Sequence, residues 1–241
     1  MVPIRMASTV VLLKCLQADD VHAYDIYTMK RPDTMKFLPG YTVFPGGGLE
    51  PGDYAEEWLE YVCNFANQYE ILPEREDCRT FYGQQKGGKE LDRVFVVAAI
   101  REVFEETGML ICLSDSLSEK ILQPAFQMTV QACQQKLLNK ELTFLEAVKT
   151  LQLRFDAGQM SYIGSRLTPP GGVARFYTKF FITRVSDGMT STPSRDEMTA
   201  EAWLKPADAL DMYGRKEIVC APPTLECLKG LQQLADIAAL F

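Results

Sequence analysis

The chain has 241 residues, 47% of them apolar, and carries 25 Lys and Arg against 32 Asp and Glu, a formal net charge of −7. That length and composition supply the core of one large domain, while the acidic balance argues against nonspecific nucleic-acid binding, which basic surface drives. Seven cysteines without a C-x-x-C pair give no zinc or disulfide framework, and a single histidine, His22, disfavours Ser-His-Asp or Cys-His chemistry and leaves metal–carboxylate chemistry open.

The predicted elements begin with a buried strand over Ala7 to Leu16, rich in β-branched and aliphatic residues. A turn at Gln17 to Asp20 leads to a second strand, Tyr24 to Met29, with His22 between the two. Lys30 and Arg31 then place two cations at the strand end, where a solvated turn is the plain reading. Next comes Phe37-Leu38-Pro39-Gly40-Tyr41-Thr42-Val43-Phe44-Pro45-Gly46-Gly47-Gly48. Pro45 fixes φ and the glycines lack a Cβ, so backbone here can approach a ligand closely. A Gly triplet alone is more often a structural turn.

Asp53 to Tyr69 reads as a helix with Trp58, Leu59, Val62 and Phe65 on one buried face, and Pro73 to Lys86 as an exposed loop. A long helix starts near Gly88 or Lys89 and runs to Thr107, where Gly108 stops it. Its last turns, Arg101-Glu102-Val103-Phe104-Glu105-Glu106, put three carboxylates on neighbouring positions, since residues three and four apart share a face. Such crowding costs stability unless a cation sits among the oxygens, and hard divalent ions favour this donor type. A solvated acidic face is the plain alternative. Ile100, Val103 and Phe104 fall on the opposite side and anchor the helix to a core.

Leu110 to Leu113 reads as a short strand, Ser116 to Asn139 as a helix, and Thr143 to Phe155 as another, with Thr143 and Glu146 spaced as a capping box. This helical pair is the first candidate for a homodimer surface or a wall of the binding pocket. Strand character returns at Ser161 to Pro170 and Val173 to Val185, where Arg175 and Lys179 share a strand face. Pro206 opens a short helix, and Leu225 to Leu240 forms a final amphipathic one. No apolar run reaches membrane-spanning length and the N-terminus has no signal-peptide pattern. The ending Ala239-Leu240-Phe241 is not a Ser-Lys-Leu type of peroxisomal address, so the expected compartment is cytoplasmic.

The glycine turn, Asp53 and the run Arg101 to Met109 together resemble the signature of the Nudix hydrolases, cation-dependent diphosphatases. In that signature a Gly, which Gly47 fits, is followed by an acidic residue, which Asp53 supplies in place of the usual Glu. An Arg-Glu-apolar-X-Glu-Glu-X-Gly-apolar run then ends it, and Arg101 to Met109 match throughout. The spacing departs: 47 residues separate Asp53 from Arg101, where the usual signature has about seven. A split box of this kind, the Phe37 to Gly47 entry, and Tyr162…Arg166-Leu167-Thr168-Pro169…Arg175-Phe176-Tyr177-Thr178-Lys179-Phe180-Phe181 are similar to the coenzyme A diphosphatase branch. Thr42 stands where a coenzyme A signature has Val or Cys.

The resemblance implies an α/β/α sandwich with a mixed sheet, one domain over 1–241, and helical insertions at about 54–90 and about 115–158. It implies Mg²⁺, with Mn²⁺ as a substitute, held by Glu102, Glu105 and Glu106, with Arg101 orienting a box carboxylate. Glu197 is in the place of a further carboxylate, so the general base is either Glu102 or Glu197. Lys30, Arg31, Phe44, Gly46, Gly47 and Arg175 become the expected substrate contacts. The implied reaction hydrolyses the diphosphate of coenzyme A or acyl-coenzyme A to adenosine 3′,5′-bisphosphate and (acyl-)4′-phosphopantetheine. A nucleotide sugar, a dinucleotide or an RNA cap is the alternative substrate class, and a non-catalytic nucleotide sensor is the alternative outside enzymes.

Overall fold

The computed structural model describes residues 2–15, 24–65, 89–114, 117, 120–171, 174–186, 189–193 and 198–233. Expectations for His22, the turn at 17–20, the loop at 73–86, Glu197 and the last residues of the final helix lie outside these residues. Strand β1 (Ile4–Cys15) organises the sheet. Val10 and Leu12 point to one face and Val11 and Leu13 to the other, all without exposure, as the two-residue period of a strand dictates. Such a strand must be covered on both sides.

On one edge β1 runs parallel to β8 (Arg175–Arg184), which pairs antiparallel with β7 (Met160–Leu167). On the other edge it meets β2 (Tyr24–Lys30) near its end and β4 (Gly46–Gly48) at Ala7 to Thr9, both antiparallel. β2 also carries β3 (Thr42–Val43) and β9 (Ala200–Leu204). The sheet is therefore mixed, in the order β3-β2-β1-β8-β7 with β4 and β9 joined to it.

Helix α1 (Lys89–Thr107) covers one face. Residues 93 to 101 are buried all round, because the helix lies between the sheet and a helical pair, α2 (Pro124–Leu138) and α3 (Phe144–Leu151). Ile100, Val103 and Phe104 are fully buried, as the spacing predicts. Helices α4 (Pro206–Gly214) and α5 (Pro222–Gln233) cover the second face, where Ala209, Cys227, Leu228 and Leu231 meet Val11, Ile26, Phe180 and Ile182. Two apolar layers thus flank one sheet. No helix among the described residues is long and apolar enough to cross a membrane.

Four sequence expectations need correction. The helix expected from Asp53 is two 3₁₀ turns, Pro51–Tyr54 and Glu56–Glu60, and a short strand β5 (Val62–Cys63). Ala55 breaks the run with extended backbone, and Trp58 donates its indole N–H to the Gly52 carbonyl at 2.9 Å while stacking on Phe144. Burying one Trp there outweighs helical periodicity, and Leu59 is left 62% exposed. Leu110 to Leu113 forms a single bridge, Leu113 to Phe155, because Cys112 adopts a left-handed φ of 55° that no strand continues. Helix α2 begins only at Pro124, a residue suited to a first turn and excluded from an interior one. Helix α3 ends at Leu151, where Gln152 turns left-handed, and residues 155 and 156 form β6 (Phe155–Asp156) beside β5.

Candidate active site

The last turns of α1 carry the crowded carboxylates, and the crowding is relieved from within the chain. Arg101 is 3% exposed, and each of its five N–H groups has an acceptor. Nε and Nη2 donate to the two oxygens of Asp53 at 2.9 and 3.0 Å, a bidentate pair. Nη2 also donates to the Gly48 carbonyl at 2.8 Å, and Nη1 donates to Glu102 Oε1 and Glu105 Oε2, each at 2.9 Å. Burial works to lower the Arg101 pKa, but the Asp53 hydrogen bonds and the charges of Glu102, Asp53 and Glu105 outweigh it and leave it raised. Asp53 is itself fixed, accepting the Glu50 N–H at 2.7 Å. The two halves of the split motif are thus rejoined by one ion pair across the sequence gap.

The glycine turn closes the other side. Pro45 accepts the Val10 N–H at 2.9 Å, and the Gly46 N–H donates to Glu106 Oε2 at 2.8 Å. Gly47 lies so near Glu102 that a Cβ there would collide with the carboxylate. Three carboxylates, Asp53, Glu102 and Glu105, therefore surround one guanidinium, and the glycine turn holds Glu106 beside them. Glu102 and Glu105 keep 13% and 21% of their side chains exposed, so solvent reaches the cluster.

A second group of polar side chains adjoins it. Buried Tyr27 on β2 donates its hydroxyl to the Glu201 carboxylate on β9, and Ser191 donates to the same carboxylate. Burial raises the Tyr27 pKa first, the Glu201 bond adds to it, and the Glu106 charge acts in the same direction. Neither Tyr27 nor Glu201 carries a local signature. Tyr27 reads as a core residue of an alternating strand, and Glu201 as a surface residue between two alanines.

The family model described as the NUDT19 Nudix domain matches residues 4–231, nearly the whole chain. The chain belongs to this Nudix family. The acyl-coenzyme A diphosphatase NUDT19 of Xenopus laevis is 24% identical, with 93% of this chain and 64% of the relative covered. That of Gallus gallus is 26% identical, with 83% and 59% covered. The chain spans less than two thirds of the length of these curated relatives. A crystal structure of a Nudix hydrolase from Alicyclobacillus acidocaldarius superposes with a TM-score of 0.69 at 26% identity, covering 99% of this chain and 96% of that one.

In this Nudix chain the remaining expected contacts are placed unevenly. Phe44 is buried in the second core and positions the glycine turn from below. Lys30 is exposed at the end of β2, where its carbonyl accepts the Thr199 N–H at 2.9 Å. Arg31 donates through Nε to the Phe37 carbonyl at 3.2 Å. Arg175 and Lys179 do share a face, but it is the face packed on α1. Arg175 donates to the Thr168 carbonyl at 3.1 Å, and the Lys179 ammonium lies 5.0 Å from the Phe95 ring centre. Arg166 pairs with Glu226 of α5 on the second face, away from the carboxylates.

Among the described residues no three His, Cys, Asp or Glu side chains converge as a closed metal cage would require, since Arg101 and the Gly46 amide hold the carboxylates in their present arrangement. The chemistry of the donor set still fits a hard divalent cation: the donors are all oxygen, reachable from solvent, and exceed the local positive charge.

Proposed function

We propose that the chain is a divalent-cation-dependent diphosphatase acting on acyl-coenzyme A or coenzyme A. The observation that carries this reading is the Arg101 hub, which draws Asp53, Glu102 and Glu105 together beside Glu106 and the glycine turn. The names of the curated relatives support the substrate class. Retention of all three glutamates of the motif favours turnover over sensing.

A phosphoanhydride resists hydrolysis because its anionic oxygens repel nucleophiles. Glu102, Glu105 and Glu106 would hold Mg²⁺, or Mn²⁺ in its place, and the bound ion would neutralise those oxygens and acidify a water. Arg101 keeps two of these carboxylates oriented and, already saturated with acceptors, does not itself reach for substrate. The Gly46 amide holds Glu106, and the absent side chain at Gly47 leaves Glu102 its position. A carboxylate, Glu102 or Glu197, takes the proton of the attacking water. Oxygen bonds to phosphorus in line as the bridging P–O bond breaks, so positioning and charge stabilisation supply most of the rate. Lys30, Arg31 and Arg175 are the cations available for the substrate's phosphates.

The test is a panel of coenzyme A, acetyl-coenzyme A, ADP-ribose, NADH and diadenosine polyphosphates incubated with protein and Mg²⁺, with products separated by chromatography. Adenosine 3′,5′-bisphosphate from the coenzyme A substrates is the expected product. Cleavage confined to another substrate keeps the mechanism and overturns the substrate; binding without cleavage in every case overturns the enzyme reading.

A further inference from the structure

We infer that Gln134, on the helical pair, is a positioning residue for the carboxylate site. It is 1% exposed, and its carboxamide makes four hydrogen bonds that join three separate segments. The two hydrogens of Nε2 are shared among three acceptors, the carbonyls of Phe104 at 3.2 Å and Glu105 at 3.0 Å, both in the last turn of α1, and that of Thr192 at 3.0 Å. Oε1 accepts the Thr192 hydroxyl at 2.8 Å. The last four carbonyls of a helix have no partner within it, so an outside donor here fixes the turn that carries Glu105 and Glu106.

The same junction is closed from the other side. Thr192 donates its N–H to the Thr107 carbonyl at 2.6 Å. Gly108 takes φ of +69°, and a Cβ there would collide with Thr192 Oγ1 and lie 2.9 Å from Gln134 Oε1. The final glycine of the motif is thus required twice, by its left-handed backbone and by the segment seated on it. One residue earlier, Ser191 is bonded to Glu201, which also accepts from Tyr27. Gln134 therefore sets the end of α1 and the segment 189–193 in one register, with Glu105 and Glu106 on one side and Glu201 on the other. The helical pair supports the site by this contact, beyond its apolar packing.

The effect on catalysis rests on the proposed diphosphatase reading, while the clamp itself does not. Hydrogen exchange of segments 104–109 and 189–193 is to be followed in the wild type, Gln134→Leu, Thr192→Val and Val130→Ala. Mn²⁺ binding is measured by calorimetry on the same proteins. Val130 is a buried core residue of the same helix and serves as the packing control. Gln134→Leu is expected to speed exchange in both segments by at least about tenfold, with Thr192→Val acting in the same direction more weakly. It is also expected to weaken Mn²⁺ binding by about tenfold, the scale seen when supports of metal ligands are removed. Val130→Ala is expected to lower the melting temperature and leave both readouts near the wild type.

Exchange that rises in one segment only, or in neither, overturns the clamp, as does Val130→Ala reproducing both effects. Faster exchange with unchanged Mn²⁺ affinity overturns the positioning role. If Gln134→Leu does not fold, Thr192→Val decides: exchange raised in both segments supports the inference and no change overturns it. A wild type that binds no Mn²⁺ overturns both the diphosphatase reading and the role of Gln134 in it, and the exchange data then decide the clamp alone.

Discussion

Arg101 is the residue on which the site depends, because it is the cation that lets Asp53, Glu102 and Glu105 sit together. Removing one partner of a buried pair leaves an uncompensated charge. Arg101→Leu is therefore expected to destabilise the fold by about 3–5 kcal/mol, read as a lower urea midpoint at unchanged slope. An unchanged midpoint would show that the carboxylates need no internal cation. Gly47→Ala separates geometry from stability: its methyl must displace the Glu102 carboxylate. Turnover should fall about a hundredfold, the scale of a misplacement of about 1 Å, while the melting temperature moves little. The residues of this hub were legible in the sequence because Arg101, Glu102, Glu105 and Glu106 fall on neighbouring positions of one helix, which Gly108 ends. Tyr27, Gln134 and Glu201 were not. Their partners lie far along the chain, and tyrosine in a strand or glutamine in a helix has many ordinary explanations.

At the scale of elements, period and capping gave α1 from Lys89 to Thr107 and the start of α3 correctly, since both are set by local interactions. Thr143 accepts the Glu146 N–H and Glu146 accepts the Thr143 N–H at 2.8 Å, the reciprocal cap expected from their spacing. The backbone bond from Thr143, followed by its hydroxyl bond, holds the Glu146 carboxyl below its ordinary pKa. A depressed carboxylate pKa contributes stability that is present above the unfolded value and lost as pH falls through the folded one. Glu146→Gln, which removes the titrating group, should therefore make the acid limb of a stability–pH curve below about pH 4.5 shallower than that of the wild type. The segment after Asp53 was misread because a 3.6-residue pattern also fits two 3₁₀ turns wound around Trp58. Trp58→Ala should cost about 3–5 kcal/mol, with loosening centred on Phe144 and the 3₁₀ turns, measurable by denaturation and exchange. A small loss without local loosening would show that Trp58 does not organise that segment.

Across the whole molecule, one mixed sheet buried on both faces explains why residues from 46 to 53 meet residues from 101 to 106. The continuous apolar run of β1 marked it as a buried strand, while the pairing of β9 with β2 and the seating of 189–193 on α1 depend on long-range contacts that no local pattern encodes. Burial pushes the thiols of Cys112 and Cys227 up to about 12 and that of Cys220 up to about 11. In the unfolded chain these thiols ionise near pH 8.5, so their contribution to stability is complete below that pH and is lost as pH rises toward 11 to 12. Denaturation midpoints should hold steady near neutrality and fall between about pH 9 and 10.5; a flat profile would contradict the burial of these groups.

The central claim is that the rejoined motif, Glu106 included, performs the chemistry. It is tested most directly by cation-dependent release of adenosine 3′,5′-bisphosphate from coenzyme A by the wild type and by Glu106→Gln, with both shown to be folded. Release by the wild type, abolished by chelation and reduced at least about a hundredfold in the variant, is the result this account predicts. Equal release by the two proteins, or release by the wild type that chelation leaves untouched, would contradict it.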